Sequence, residues 1–223
     1  MLSEPRAVAS GANVILPRVY PIVDAASLEA RGLDAVEVAQ AMLDGGAGIL
    51  QFRFKGQLTA ALFDQALRIG ERCRKAGAIW IVNDRTDVAL LANAGLHLGQ
   101  DDLPPEAARR LMGASALIGF STHNADQMRA AAEMPVDYVA FGPVFGTRSK
   151  DRPDPTTGIE TLAQIRALTT RPLVAIGGIT RANAASVWAA GADSVAVIAD
   201  LLPDACTLDG VTKRTREWIE LAR

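Results

Sequence analysis

Short runs of β-branched and apolar residues alternate along this chain with longer amphipathic segments, and the alternation repeats eight times. The apolar runs predict strands over 19–23, 48–53, 79–83, 96–98, 116–121, 138–141, 173–176 and 194–198. The other segments predict helices over 34–44, 59–76, 86–94, 104–111, 125–133, 159–168, 182–190 and 210–222. A strand followed by a helix implies parallel strands, so eight such units favour one closed (β/α)₈ TIM barrel. An open doubly wound sheet is the alternative.

The composition supports a single domain with one core. We expect residues 1–17 to form a loose N-terminal tail and residues 18–223 to form the barrel. A formal net charge of −2 argues against nucleic-acid binding, and no apolar run reaches the roughly 18 residues that span a bilayer. The two cysteines, Cys73 and Cys206, are far apart and have no metal-ligand spacing, which is typical of a cytoplasmic protein.

In such a barrel the active site forms at the C-terminal ends of the strands. The second strand ends with Gln51, Arg53 and Lys55 on one face, and with Phe52 and Phe54 on the other. The phenylalanines are expected to pack against helices. Two cations side by side repel each other unless an anion lies between them, so this stripe predicts a diphosphate site. A solvated strand end is the alternative.

Acidic residues follow the next two strands. Asp84 comes directly after the third strand and Asp102 follows the fourth, so adjacent strands are expected to bring both carboxylates within reach of one ion. Two carboxylates, completed by phosphate oxygens and water, typically hold Mg²⁺. The alternative for Asp84 is that it caps the next helix.

The remaining strand ends carry hydroxyls, glycines and a lysine. Ser121 can donate to a phosphate or a base, and His123 is either an acid/base group or a loop-orienting one, whereas His97 within a strand is expected to be structural. The long polar loop 146–157 has a length typical of a lid. The Gly177–Gly178 pair after the seventh strand indicates close backbone contact with a phosphate.

Six motifs in order over residues 18–200 resemble the thiamine phosphate synthase family. They are Gln51-x-Arg53-x-Lys55, Asn83-Asp84-Arg85, His97-x-Gly99-Gln100-x-Asp102, Ser121-x-His123, Gly142-Pro143-x-Phe145-x-Thr147-x-Ser149-Lys150 and Ile176-Gly177-Gly178-Ile179. The resemblance implies a transferase that joins 4-amino-2-methyl-5-(diphosphooxymethyl)pyrimidine to 4-methyl-5-(2-phosphooxyethyl)thiazole or its 2-carboxylate. Diphosphate would leave first, assisted by Mg²⁺, and the thiazole nitrogen would then attack.

The resemblance also implies a role for each matching residue. The pyrimidine diphosphate would be bound by Gln51, Arg53, Lys55, Asn83, Ser121 and Lys150. Asp84 and Asp102 would hold Mg²⁺. The thiazole ligand would contact Thr147 and Ser149, and its phosphate would bind backbone groups of Gly178, Ile198 and Ala199. The catalytic groups would be Arg53, Lys55, Lys150 and Ser121.

Two other functions remain open from the sequence. A thiazole tautomerase of the same superfamily would share the barrel and use His123 for proton transfer. A non-catalytic barrel would bind a phosphorylated ligand without turnover. In each case the partners are small phosphorylated molecules rather than nucleic acid or membrane, and a homo-oligomer is left open.

Overall fold

The computed structural model describes residues 14–146 and 155–223 as a closed barrel of eight parallel strands. Neighbouring strands follow chain order, and β1 closes the barrel against β8. The (β/α)₈ prediction is therefore confirmed, and the open doubly wound sheet is wrong. The strands are β1 (Val19–Asp24), β2 (Ile49–Arg53), β3 (Ile79–Asn83), β4 (Gly95–Leu98), β5 (Ile118–Thr122), β6 (Tyr138–Phe141), β7 (Leu173–Ala175) and β8 (Ser194–Val197).

Helices cover the outside of the barrel. They are α1 (Ala25–Glu29), α2 (Ala35–Asp44), α3 (Ala60–Ala76), α4 (Thr86–Leu91), α5 (Pro105–Met112), α6 (Ala125–Glu133), α7 (Gly158–Arg166), α8 (Ala184–Ala189) and α9 (Leu208–Leu221). The alternation pattern did not predict α1 or the 3₁₀ turn Ala199–Leu201 that follows β8. The helix after β7 begins two residues later than predicted, because Arg181–Asn183 form a turn.

Two apolar layers hold the fold together. The larger one lies between strands and helices and includes both Phe52 and Phe54, which confirms their predicted outward orientation. The smaller layer fills the barrel interior and includes Ile49, Ile81 and Val174. The interior layer fills the barrel between its strands.

A glycine shapes this interior layer. A Cβ atom added at Gly119 on β5 would lie 2.0 Å from Cζ of Tyr138 on the neighbouring strand β6. Any side chain there would therefore displace the fully buried Tyr138 ring. Gly119 is needed because it leaves room for that ring to cross the barrel.

Within residues 14–146 and 155–223, none of the helices has both the length and the apolar character to cross a bilayer. The predicted tail at 1–17 falls mostly outside the described residues, which begin at position 14. The first strand starts at Val19, one residue after the predicted start of the barrel domain. The proposed domain boundary stays a prediction.

Candidate functional site

A cavity of about 420 Å³ opens at the C-terminal ends of the strands. Its walls combine apolar side chains such as Ile22, Val174 and Ile176 with a few polar groups. Seven of the predicted substrate-binding residues line it, and they are Gln51, Arg53, Asn83, Ser121, Gly178, Ile198 and Ala199. Apolar walls with a few convergent polar groups are the usual form of a small-molecule site.

The β2 stripe is arranged as predicted, but its charges are neutralised differently. Gln51 and Arg53 face the cavity, while Lys55 lies at the rim beyond the end of the strand. Arg53 forms an ion pair with Asp24, and Lys55 forms one with Asp84. Each cation therefore already has a carboxylate partner, and the diphosphate site stays a prediction.

Asp24 is a site residue that sequence analysis missed. It ends β1 and is buried, with one carboxylate oxygen on Arg53. The other oxygen accepts hydrogen bonds from the backbone N–H of Ser27 at 3.0 Å and from its hydroxyl at 2.6 Å. Asp24 therefore caps α1 and holds the Arg53 guanidinium at the same time. An acidic residue at a strand end, three positions before a serine, was the available signal.

Asp84 does not cap the following helix. The N-cap position of α4 is Arg85, which makes no side-chain capping bond, so the capping alternative is wrong. Asp84 has a left-handed backbone with φ of 62°, a conformation that costs a non-glycine residue about 1 kcal/mol and is concentrated at functional sites. The side chain of Asp84 forms an ion pair with Lys55.

The carboxyls of Asp84 and Asp102 are neighbours, as the sequence predicted. Burial, followed by the adjacent Asp102 carboxyl, raises the pKa of Asp84 to about 6 despite the opposing ammonium of Lys55. Asp102 is fixed by the backbone N–H of Gly99, which donates to its Oδ2 at 2.7 Å. Across the described ranges, no set of three or more His, Cys, Asp or Glu side chains could hold a metal. Asp84 and Asp102 are thus a pair rather than a larger cluster, and they could supply two ligands to an ion.

Asn83 carries a buried donor that no group among the described residues satisfies. Its side-chain nitrogen Nδ2 has no hydrogen-bond partner in the part of the chain that the structure describes. Unpaired buried donors are rare because each costs about 1–3 kcal/mol. Asn83 lines the cavity, so its amide is available to a ligand there.

The two histidines have different positions relative to Ser121 and the cavity. His97, expected to be structural, lines the cavity, and its Nε2 lies 2.9 Å from the hydroxyl oxygen of Ser121. His123 is not among the lining residues. Its Nδ1 donates to the carbonyl oxygen of Gly142 at 2.6 Å, because a carbonyl can only accept. His123 thus orients the loop after β6.

The glycine pair after β7 forms a tight turn against the loop after β6. Gly177 and Gly178 have φ angles of 93° and 63°. Added Cβ atoms would lie 2.4 Å from Cβ of Pro143 and 2.4 Å from the carbonyl oxygen of Gly146, respectively. Glycine is therefore required at both positions by conformation and by space.

A charged cluster, also missed from the sequence, supports the opposite side of this turn. The carboxylate of Asp200 accepts hydrogen bonds from Nε of Arg181 at 3.1 Å and from Nε1 of Trp218 at 2.9 Å. Arg181 also pairs with Glu217. Asp200 lines the cavity but is already neutralised, so it does not present an unpaired charge to a ligand.

The other three predicted residues of the site, Thr147, Ser149 and Lys150, lie outside the described residues.

Comparison with known proteins identifies similar sequences and structures. A model of the thiamine monophosphate synthase family matches residues 19–201. A thiamine-phosphate synthase of Koribacter versatilis is 46% identical over 192 residues, covering 85% of this chain and 90% of that protein. One of Chloroflexus aurantiacus is 40% identical over 207 residues, covering 92% and 93%. The solved thiamine phosphate pyrophosphorylase of Pyrococcus furiosus has a TM-score of 0.79 at 30% identity, covering 92% of this chain and 96% of its own.

Proposed function

This chain belongs to the thiamine monophosphate synthase family, and on that premise we propose that it couples a pyrimidine diphosphate to a thiazole phosphate. It is a transferase of thiamine biosynthesis. The proposed substrates are 4-amino-2-methyl-5-(diphosphooxymethyl)pyrimidine and 4-methyl-5-(2-phosphooxyethyl)thiazole or its 2-carboxylate. The products would be thiamine phosphate and diphosphate.

The observation that carries these substrates is the mixed apolar and polar lining of the cavity at the strand ends. Ile22, Val174 and Ile176 provide apolar walls suited to a flat ring. Hydrogen-bonding groups come from Gln51 and from the Asn83 amide, whose Nδ2 has no partner within the described residues. We assign the pyrimidine diphosphate to Gln51, Arg53, Lys55, Asn83, Ser121 and Lys150. The thiazole ligand is assigned to Thr147 and Ser149, and its phosphate to the backbone of Gly178, Ile198 and Ala199.

The acidic pair fits a magnesium ion. The raised pKa of Asp84 means that burial and the Asp102 carboxyl disfavour a second negative charge there, and a divalent cation would relieve this. Carboxylate oxygens are the ligands that Mg²⁺ prefers, with phosphate oxygens and waters completing its shell. We therefore propose that Asp84 and Asp102 hold Mg²⁺, which would neutralise charge on the departing diphosphate.

The protein's own role in the reaction is to stabilise the leaving group. Arg53 is held at the cavity wall by Asp24, so its guanidinium is oriented before the diphosphate binds. The ammonium of Lys55 is more than half exposed and can turn from Asp84 toward the ligand. The apolar walls exclude water from the reactive pyrimidinylmethyl group, so that the thiazole nitrogen is the nucleophile that reaches it.

The experiment measures thiamine phosphate and diphosphate from the two substrates with Mg²⁺ and with EDTA. Product should require both substrates and the metal. Asp102→Asn should reduce turnover, whereas Asp101→Asn, at an exposed neighbouring position, should not. Isomerisation of a thiazole carboxylate alone would instead indicate a tautomerase, and binding without turnover would indicate a ligand-binding barrel. Either result would overturn the proposal.

The setting proposed for the enzyme is the cytoplasm, with small phosphorylated molecules as its partners. Both cysteines are free thiols, Cys73 buried and Cys206 half-buried. Burial raises the pKa of the Cys73 thiol to about 12, so it stays protonated and unreactive. A homo-oligomer stays a prediction that light scattering would test.

A further inference from the structure

A continuous line of hydrogen bonds crosses the floor of the cavity. Nε2 of Gln51 donates to the hydroxyl oxygen of Tyr20 at 3.0 Å, and the hydroxyl oxygens of Tyr20 and Tyr138 are 2.8 Å apart. The Tyr138 hydroxyl is 3.0 Å from Nδ1 of His97, whose Nε2 is 2.9 Å from Oγ of Ser121. The line therefore joins two proposed substrate-binding residues, Gln51 and Ser121, through three residues that have no assigned role.

The three linking residues are deeply buried, so the direction of each hydrogen bond between them constrains the direction of the next. Tyr20, Tyr138 and His97 are 1%, 0% and 7% exposed. Burial raises the pKa of both tyrosines far above neutrality, so each keeps its hydroxyl hydrogen and can donate one bond. A buried hydroxyl that donates to neither neighbour would carry the cost of an unsatisfied donor.

Counting donors leaves two self-consistent directions. In the first, Gln51 donates to Tyr20, Tyr20 to Tyr138, and Tyr138 to Nδ1 of His97. The neutral imidazole then carries its hydrogen on Nε2 and donates to Ser121. Gln51 is left with its Oε1 as an acceptor, and Ser121 with its hydroxyl hydrogen as a donor. In the second direction every bond is reversed and the Gln51 amide is rotated, so both ends exchange roles.

We propose that Tyr20, Tyr138 and His97 are positioning residues that couple Gln51 to Ser121, so that the two ends recognise opposite hydrogen-bonding groups of one substrate. This inference rests on the proposed function. A 4-aminopyrimidine diphosphate offers a donor, its amino group, and acceptors, its anionic oxygens. Oε1 of Gln51 accepts from the amino group and the Ser121 hydroxyl donates to an anionic oxygen, which selects the first direction.

The same direction argues against Ser121 as a nucleophile. A serine is activated when histidine Nε2 accepts its proton and a carboxylate holds Nδ1–H on the other side. Here the group on Nδ1 of His97 is a tyrosine that can donate. In the selected direction His97 Nε2 carries a hydrogen, so it cannot remove one from Ser121.

The first test determines the direction of the hydrogen bonds from the tautomer of His97 in the wild-type protein, and it does not require turnover. The chain has only two histidines, His97 and His123, so ¹⁵N-histidine labelling gives two sets of ring signals, and a His123→Gln variant assigns them. With the aminopyrimidine diphosphate bound, His97 should be the Nε2–H tautomer. The Nδ1–H tautomer in that complex would overturn the proposal. Because this measurement needs only binding, it remains informative if the coupling reaction itself fails.

The second test breaks the line in the middle. Tyr138→Phe removes the central hydroxyl, and Thr215→Val removes an equally buried hydroxyl that bonds to Val211 in α9. The 4-oxo analogue presents an acceptor in place of the amino donor, so wild type should bind it less tightly than the 4-amino compound. Tyr138→Phe should reduce this preference about tenfold, because Gln51 can then rotate independently. Thr215→Val should leave it unchanged.

An unchanged preference in a folded Tyr138→Phe protein would overturn the coupling. Tyr20→Phe removes the next hydroxyl along the line and should give the same loss of preference. It serves as the second variant if Tyr138→Phe does not fold. A purely structural role would instead lower the melting temperature and affect both pyrimidines equally.

Discussion

Replacing Asp24 with Asn tests how the cavity holds its buried guanidinium. Asn keeps a side-chain oxygen that can accept from the backbone N–H and hydroxyl of Ser27, so α1 should keep its cap. The substitution removes the negative charge that faces Arg53. The free protein would then contain a cation in the cavity wall without a counter-charge.

The expected cost follows from the burial of the two side chains. Removing one partner of a buried ion pair costs about 3–5 kcal/mol. Asp24 is 4% exposed, while Arg53 keeps 14% exposure and some hydration, so the lower end, about 3 kcal/mol, applies. In a chain of this length, that corresponds to a fall of about 6–12 °C in melting temperature.

The assay is thermal unfolding with and without inorganic diphosphate. The anion supplies the charge that Asp24→Asn lacks, so it should raise the melting temperature of the variant more than that of the wild type. Ser27→Ala is the control, because it removes only one hydrogen bond of the α1 cap and should cost about 1 kcal/mol. The reasoning fails if Asp24→Asn melts like the wild type, or if diphosphate stabilises both proteins equally.

Three further substitutions address separate parts of the site. Gly119→Ala should destabilise the fold by about 3 kcal/mol in urea unfolding, because its Cβ would overlap the Tyr138 ring; wild-type stability would contradict the packing. Asn83→Ala should raise KM for the pyrimidine diphosphate about tenfold while changing stability by less than about 1 kcal/mol, because the lost Nδ2 has no described partner. A large fall in stability would show that Asn83 stabilises the fold rather than binding substrate. Lys150→Ala should reduce turnover far more than it weakens thiazole binding by titration, and unchanged turnover would remove Lys150 from the mechanism.

The strand ends were predictable from the sequence because a strand has a fixed period of two. That period predicts Gln51 and Arg53 toward the cavity and the phenylalanines toward the helices, as the structure has them. Chain order predicts that the two acids lie close together, since β3 and β4 are neighbours in a barrel of consecutive strands. Asp84 and Asp102 therefore follow from topology as well as from motif.

The partners of these residues were not predictable, because they depend on distance across the barrel. Tyr20 and Tyr138 are 118 positions apart, and both read as ordinary strand residues until the closed barrel brings their hydroxyls together. The signal that remained in the sequence is Gly119, whose missing side chain makes room for the Tyr138 ring. Asp24 was missed for a related reason, since a helix cap and an ion-pair partner look alike at a strand end.

The two cations at and just beyond the end of β2, Arg53 and Lys55, have surroundings that suit different roles. Arg53 is bound to a carboxylate that is itself fixed by Ser27, so both partners are held and the guanidinium keeps one orientation. Lys55 is 57% exposed but Asp84 only 14%, so the ammonium can leave Asp84 at little cost only when another cation neutralises that carboxylate. Its departure would free the Asp84 carboxylate for a metal while bringing positive charge to the diphosphate. Under the proposed mechanism, the same movement of Lys55 would therefore serve both the leaving group and the ion.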